Sequence, residues 1–449
     1  MKETPINFEV VTRKIAESGI ESVGKASIRE IKKLVDGIQD ETGQKFVRME
    51  MGIPGLPPSQ IAIEAEIEAL RKGIAAIYPD IWGFPALKNE IARFVKLFLD
   101  VDVSPEGCLP TVGSMMGGFA CFLTINRMYA NREGTLFIDP GFPVNKKQAR
   151  VLGLPAEHFD VYDFRGDRLR DKLESCLSTG RIGALMYSNP NNPAWICFTE
   201  KELAIIGELC SRYDVIALED LAYFGMDFRQ DTSRPGAPPF IPTVARYTDN
   251  YILLISSSKS FSLAGQRIGM TAISDTLFES TGDGLAAWFG SDRFGYAYIF
   301  GGMYALSSGV CHSAQYGLSR LLAAVNGGRY NFVEAVEEYG RRARTMKRLF
   351  TENGFSLVYD KDEDQPLADG FYFTVAYPGY TGVGLVEALL FYGISAISLE
   401  TTGSSRTEGI RACVSLTGED RFGELEDRLK RFDADHRNGF RVLEKSSGV

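Results

Sequence analysis

Residues 251–269 read Tyr-Ile-Leu-Leu-Ile-Ser-Ser-Ser-Lys-Ser-Phe-Ser-Leu-Ala-Gly-Gln-Arg-Ile-Gly. The run Tyr251 to Ile255 is apolar without alternation, the mark of a strand buried on both faces, as in a parallel sheet covered by helices. Lys259 follows at once, so it is expected at the carboxyl end of a sheet strand, where open α/β sheets bind ligands. Arg267 opens the next run, Ile268 to Ile273, and with Ser256 and Ser258 it makes a cluster suited to an anionic group.

Outward from this stretch the same grammar repeats. Thr135 to Ile138, Ile182 to Tyr187 and Val215 to Leu218 read as further strands. Between them Glu200 to Arg212 reads as a helix, with Leu203, Ile206 and Leu209 at helical spacing and Thr199 as N-cap. The prediction is an α/β fold: a large three-layer α/β/α domain with a mainly parallel sheet over residues 60–325. From about Tyr330 a long charged helix ends before Asn353-Gly354. Strands at Ser356 to Tyr359, Phe371 to Ala376, Ser395 to Leu399 and Arg411 to Leu416 follow, with a closing helix at Glu419 to Phe432. This predicts a smaller α+β domain over 326–449. Residues 1–59, with a strand-like Lys45 to Met51, are too short and charged to hold a core alone and are expected to join it. Lys445 to Val449 reads as a loose tail.

Composition bounds the rest. The 449 residues carry a net charge of -9, with 45% hydrophobic and 24% charged residues. That is an ordinary globular balance, and its acidity argues against nucleic acid as a partner. The apolar runs fall far short of the roughly 18 residues of a membrane span, and the first 30 residues contain no signal-type core; the chain reads as cytoplasmic. Seven scattered cysteines without a C-x-x-C spacing read as reduced thiols, and three distant histidines predict no metal site.

Four constellations fall at predicted strand ends or a helix start: Thr111-Val112-Gly113-Ser114-Met115, Ser188-Asn189-Pro190-Asn191-Asn192-Pro193, Glu219-Asp220-Leu221-Ala222-Tyr223, and the lysine run. Singly, each could be a turn, a cap or a surface loop. A fifth stretch, Gly282-Asp283-Gly284-Leu285-Ala286-Ala287, has dinucleotide-fingerprint spacing but follows no strand, and reads as a loop opening a helix.

Taken together and in this order, the four constellations resemble the pyridoxal-phosphate enzymes of the aspartate aminotransferase superfamily, the class I/II aminotransferases of fold type I. The most specific element is S-x-S-K-x-x-x-x-x-G-x-R-x-G at Ser256 to Gly269. The resemblance implies that Lys259 holds pyridoxal 5'-phosphate as an internal aldimine and moves the Cα proton. It implies that Asp220 pairs with the pyridinium nitrogen and that Tyr223 and Asn192 hydrogen-bond the ring hydroxyl. Phosphate binding would fall to Ser256, Ser258, Arg267 and the helix start at Gly113, Ser114 and Met115, while Phe142 would stack on the ring. Tyr78 would reach the neighbouring active site, making the unit a homodimer. Arg411, with Gly52 and Asn192, would take the substrate carboxylate. The implied reaction is ping-pong transfer between an L-amino acid and a 2-oxo acid; a carbon-sulfur lyase on the same fold uses the same groups. A cofactor-sensing regulator domain would need a basic helix-turn-helix module ahead of the core.

Two features depart from the family pattern. Ala194-Trp195 stands where a Thr-Gly or similar continuation is usual, so an indole close to the cofactor is expected to reshape that wall. No cationic selector for an acidic side chain stands out, although Arg293 lies in a suitable region.

Overall fold

The computed structural model describes residues 3–129, 131–132 and 134–437. Strands in chain order are β1 (Val47–Arg48), β2 (Cys108–Thr111), β3 (Gly134–Asp139), β4 (Ala156–Asp160), β5 (Ile182–Ser188), β6 (Ile216–Leu221), β7 (Tyr251–Ser256), β8 (Gly269–Ile273), β9 (Ser356–Leu357), β10 (Lys361–Asp362), β11 (Gln365–Pro366), β12 (Tyr372–Ala376), β13 (Ile394–Ser395), β14 (Ile397–Ser398) and β15 (Ile410–Cys413).

The described residues form a seven-stranded sheet in the order β2-β8-β7-β6-β5-β3-β4, parallel except for β8, which runs against both its neighbours. Side chains along β7 alternate between two apolar clusters. Leu253 and Ile255 join one that includes Leu203, Ile206 and Leu209 of the helix Glu200–Tyr213. Ile252 and Leu254 join the other, with Ala120 and Phe122 of the helix Gly113–Ile125. Each fully buried Leu or Ile contributes roughly 1.5–3 kcal/mol, so a strand covered on both faces is held by its whole length. The mainly parallel α/β architecture is therefore the one expected. Thr199 caps the helix Glu200–Tyr213 with a reciprocal capping box to Glu202, as its position predicts.

A second body of structure packs around a four-stranded antiparallel sheet, β14-β15-β12-β9. Its apolar cluster draws on Val11, Ile31, Val35 and Val47 from the chain's beginning and on Leu389, Ile394, Leu425 and Phe432 from its end. β1 pairs in parallel with β13. Some expected boundaries shift. The strand expected over Ser395 to Leu399 is two short strands broken at Ala396, and the closing helix is Phe422–Arg437. The segment Leu285–Phe289 is helical after a loop, as read. Residues 445–449, expected as a tail, lie outside the described residues.

Candidate functional site

Parallel strands deliver their carboxyl ends to one edge of the sheet, and there a cavity of about 1090 Å3 opens between the two bodies. β7 ends at Ser256 and hands over to Ser258 and Lys259; β6 carries Asp220 at its last turns, followed by Tyr223; β5 ends before Asn192. Because β8 is antiparallel to β7, its amino end brings Arg267 to the same place. Residues from the second body, Gly52, Tyr372 and Arg411, close the opposite wall.

Twelve of the fourteen residues singled out from sequence line this cavity: Gly52, Ser114, Met115, Phe142, Asn192, Asp220, Tyr223, Ser256, Ser258, Lys259, Arg267 and Arg411. Gly113 stands directly behind it, at φ 68, and a Cβ there would lie 2.6 Å from an Arg267 guanidinium nitrogen. The helix start and the guanidinium thus share one small volume, which only glycine permits, and together they favour an anion. Tyr78 does not belong to this cavity; it is 89% exposed. Arg293 is exposed, ion-paired with Glu279, and also away from the cavity.

Electrostatics mark three of these groups. Burial, reinforced by the cations of Arg267 and Arg411, pushes the Lys259 amine down to about 8. Burial pushes the Asp220 carboxyl up to about 7, against a backbone hydrogen bond from Ala222 and the attraction of Lys259. Its Oδ1 has no hydrogen-bond partner among the described residues. A buried carboxylate oxygen left open is a costly arrangement that a cationic or N–H-bearing ligand would relieve. Arg411, 1% exposed, donates to Asn192 Oδ1 (3.1 Å) and to the Glu50 carbonyl (2.5 Å), and its Nε has no hydrogen-bond partner among the described residues. The cavity therefore offers an anion seat at one end, a carboxylate, a lysine amine, and a second cation suited to a carboxylate. Among the described residues no cluster of His, Cys, Asp and Glu could hold a metal ion.

Sequence reasoning missed seven contributors. Tyr372 lies in β12, its hydroxyl 2.8 Å from that of Tyr223 and its ring 4.4 Å from the Arg411 guanidinium. Glu50, fully buried and bonded to Arg48 and Ser395, fixes the backbone that receives Arg411. Tyr339 accepts hydrogen bonds from the Gly55 and Leu56 amides and so holds the loop that carries Gly52. Lys25, Ser27, Arg29 and Glu30 rim the mouth, where Lys25 pairs with Glu400 at 2.8 Å. None of these carries a local signal, since each matters only through a partner far away in the chain. Trp195 corrects an expectation. It is fully buried and does not line the cavity; it stands behind the wall, edge-on to Tyr223 and Tyr372 at 5.5 and 6.2 Å between centroids.

Residues 45–419 match the family described as aminotransferase class I and II. The chain is similar to nicotianamine aminotransferase 1 of Oryza sativa subsp. japonica, 28% identical over 258 residues. That alignment takes in 56% of this chain and 50% of the relative, so the chain spans about half the length of that protein. It is 24% identical over 414 residues to the aspartate aminotransferase of Bacillus subtilis (strain 168), covering 88% of this chain and 93% of that one. Among solved structures, aspartate aminotransferase from Thermus thermophilus with maleate superposes with a TM-score of 0.71 at 18% identity, covering 93% and 98% of the two chains. That last likeness is one of fold.

Proposed function

This chain belongs to the class I and II aminotransferase family, and from that premise we propose that it moves an amino group between an L-amino acid and a 2-oxo acid with pyridoxal 5'-phosphate as cofactor. The observation that carries the reading is the open Asp220 carboxylate sharing one cavity with the low-pKa Lys259 amine. Pyridoxal phosphate supplies an aldehyde that condenses with amines and a ring that accepts the electrons left when Cα loses its proton.

The residues divide the remaining work. The helix start at Gly113 to Met115, with Ser256, Ser258 and Arg267, would hold the phosphate as a dianion. Phe142 offers an aromatic face to the ring. Asp220 would keep a proton on the ring nitrogen, since a buried carboxylate is stabilised by meeting a cation. Tyr223 and Asn192 would donate to the ring oxygen. Lys259, with part of its population uncharged near neutral pH, takes and returns the Cα proton at Nζ. Arg411 forks around the substrate carboxylate, helped by Asn192 and the Gly52 backbone, and so sets the angle of the bond to be broken.

Tyr78 suits a second subunit. It is 89% exposed, and its chain neighbour Ile77 is exposed with it, apolar surface that a monomer would leave in water. A homodimer in which Tyr78 reaches the neighbouring phosphate would cover it.

The experiment is an absorbance scan of the cofactor-loaded protein against L-amino acids offered singly without an oxo acid. Conversion to a stable pyridoxamine-type spectrum, reversed by a 2-oxo acid, is the expected result and names the donor. Steady release of pyruvate and ammonia with an unchanged spectrum would replace this reading with a carbon-sulfur lyase.

A further inference from the structure

Two tyrosine hydroxyls meet beside the cavity, Tyr223 from the end of the parallel sheet and Tyr372 from β12, 2.8 Å apart. Both phenols are buried, and burial holds each well above its ordinary value, so both keep their protons. The pair therefore owns two protons and shares one hydrogen bond, which leaves one proton to donate elsewhere. The Arg411 guanidinium lies 4.4 Å from the Tyr372 ring centroid, where it favours the ionised form of that phenol. Either hydroxyl can donate within the pair, and the arrangement in which Tyr372 donates leaves the spare proton on Tyr223. The Tyr223 ring is held edge-on by Trp195 (5.5 Å) and tilted against Phe371 (5.4 Å). On the far side the backbone of Gly52 backs the Tyr372 hydroxyl: a Cβ at that position would lie 2.0 Å from it.

We propose that Tyr372 is a positioning residue that aims and strengthens the hydrogen bond Tyr223 gives to the cofactor's ring oxygen, and that it ties this bond to the arginine receiving the substrate carboxylate. The inference rests on the cofactor reading above. A hydroxyl that accepts a hydrogen bond is a better donor through its own proton, because the two bonds polarise one another in a low-dielectric site. Donation to the ring oxygen favours its ionised form and lowers the pH at which the bound chromophore loses its proton. The charged and titratable groups facing this pair are Arg411 and the Cys413 thiol from β15; Lys259 and Asp220 face it across the cavity. None of them is removed by deleting the Tyr372 oxygen.

The test reconstitutes the wild-type chain, Tyr372→Phe, Tyr223→Phe and the double variant with pyridoxal phosphate. The visible absorbance of each is titrated against pH without substrate. Tyr372→Phe keeps the ring beneath Arg411, so cofactor uptake is retained, and the midpoint is expected to rise by roughly half a pH unit. In the Tyr223→Phe background the second substitution is expected to add nothing, because its route runs through Tyr223. Tyr372→Leu, which also removes the ring from beneath Arg411, is expected to raise KM for the amino acid several-fold more than Tyr372→Phe does. An unmoved midpoint in Tyr372→Phe, or an equal shift in both backgrounds, overturns the inference while leaving the cofactor reading intact. A wild-type chain with no visible band after reconstitution overturns both.

Discussion

Trp195 and Gly370 contend for one volume: a Cβ at Gly370 would lie 2.0 Å from Cε2 of the indole. The indole is fully buried and its backbone sits at φ 64, so it cannot swing aside. Its partners in contact are Tyr223 and Tyr372, which makes the pair a rigid backing for the cavity wall.

Gly370→Ala should therefore behave as an overpacking substitution, destabilising by about 1–3 kcal/mol. Urea unfolding of the single variant, of Trp195→Phe and of the combination measures it. The combined loss should fall below the sum, since the smaller ring vacates the space the methyl needs. Strict additivity would show that the two positions do not compete.

Asp220 predicts opposite behaviour with and without cofactor. Its carboxyl is raised from 3.8 to about 7 in the folded chain. Between those values the folded state holds a proton that the unfolded chain has released, so this group's favourable contribution is present at low pH and is lost as pH rises through 7. Asp220→Asn should make the cofactor-free protein more stable at pH 8 by on the order of 2 kcal/mol, with the difference shrinking toward pH 5. In the loaded protein the same change should weaken cofactor retention. Thermal melts of both forms at the two pH values decide it.

Cofactor capture should follow the titration of Lys259. With its amine pushed down to about 8, about one chain in ten carries an uncharged amine at pH 7, far more than a free lysine would. The association rate of pyridoxal phosphate with the cofactor-free protein should rise with pH and level off just above pH 8. Arg267→Met, which removes a cation that disfavours the charged amine, should move that midpoint upward; a rate still climbing at pH 10 in the wild-type chain would contradict the assignment.

Arg411→Lys keeps a charge but loses the fork, along with the bonds to Asn192 and the Glu50 carbonyl. The visible spectrum of the loaded protein should be preserved while kcat/KM for the amino acid falls by about 100-fold, the effect lying mainly in KM. Steady-state kinetics beside an absorbance scan separates this from loss of cofactor.

Much of this arrangement can be read from the chain itself, and the reasons for the gaps are physical. β7, β6 and β5 announce themselves because strands buried on both faces must be apolar throughout, and the residues after them are then placed at the reactive edge without further information. β2 and β4 escape notice because they are the two edges of the sheet. One carries Pro110, which an edge tolerates, and the other, Ala156–Asp160, is partly exposed and weakly apolar. Tyr372 reads as one more core aromatic of β12, and only the approach of Tyr223 in space turns its hydroxyl into part of the site. Trp195 was visible as an unusual residue, but its direction was not: the left-handed backbone at that position points the indole away from the cavity and onto Gly370.

The amides of Val47 and Met49 donate to the carbonyls of Gly393 and Ser395, and the Met49 carbonyl accepts from Cys413. During synthesis, at roughly 5–20 residues per second, the segment ending at Met49 would leave the ribosome some twenty seconds to a minute before its partners exist. Over that interval Val11, Ile31, Leu34 and Val35, buried at the end, have only the contact between their own two helices, Phe8–Glu17 and Ile28–Thr42, to settle against. The nascent chain must carry an incompletely buried apolar helix pair until Gly393 to Cys413 have emerged. Expression yield should therefore respond to holdase chaperones through this N-terminal segment more than through the sheet that dominates the finished molecule.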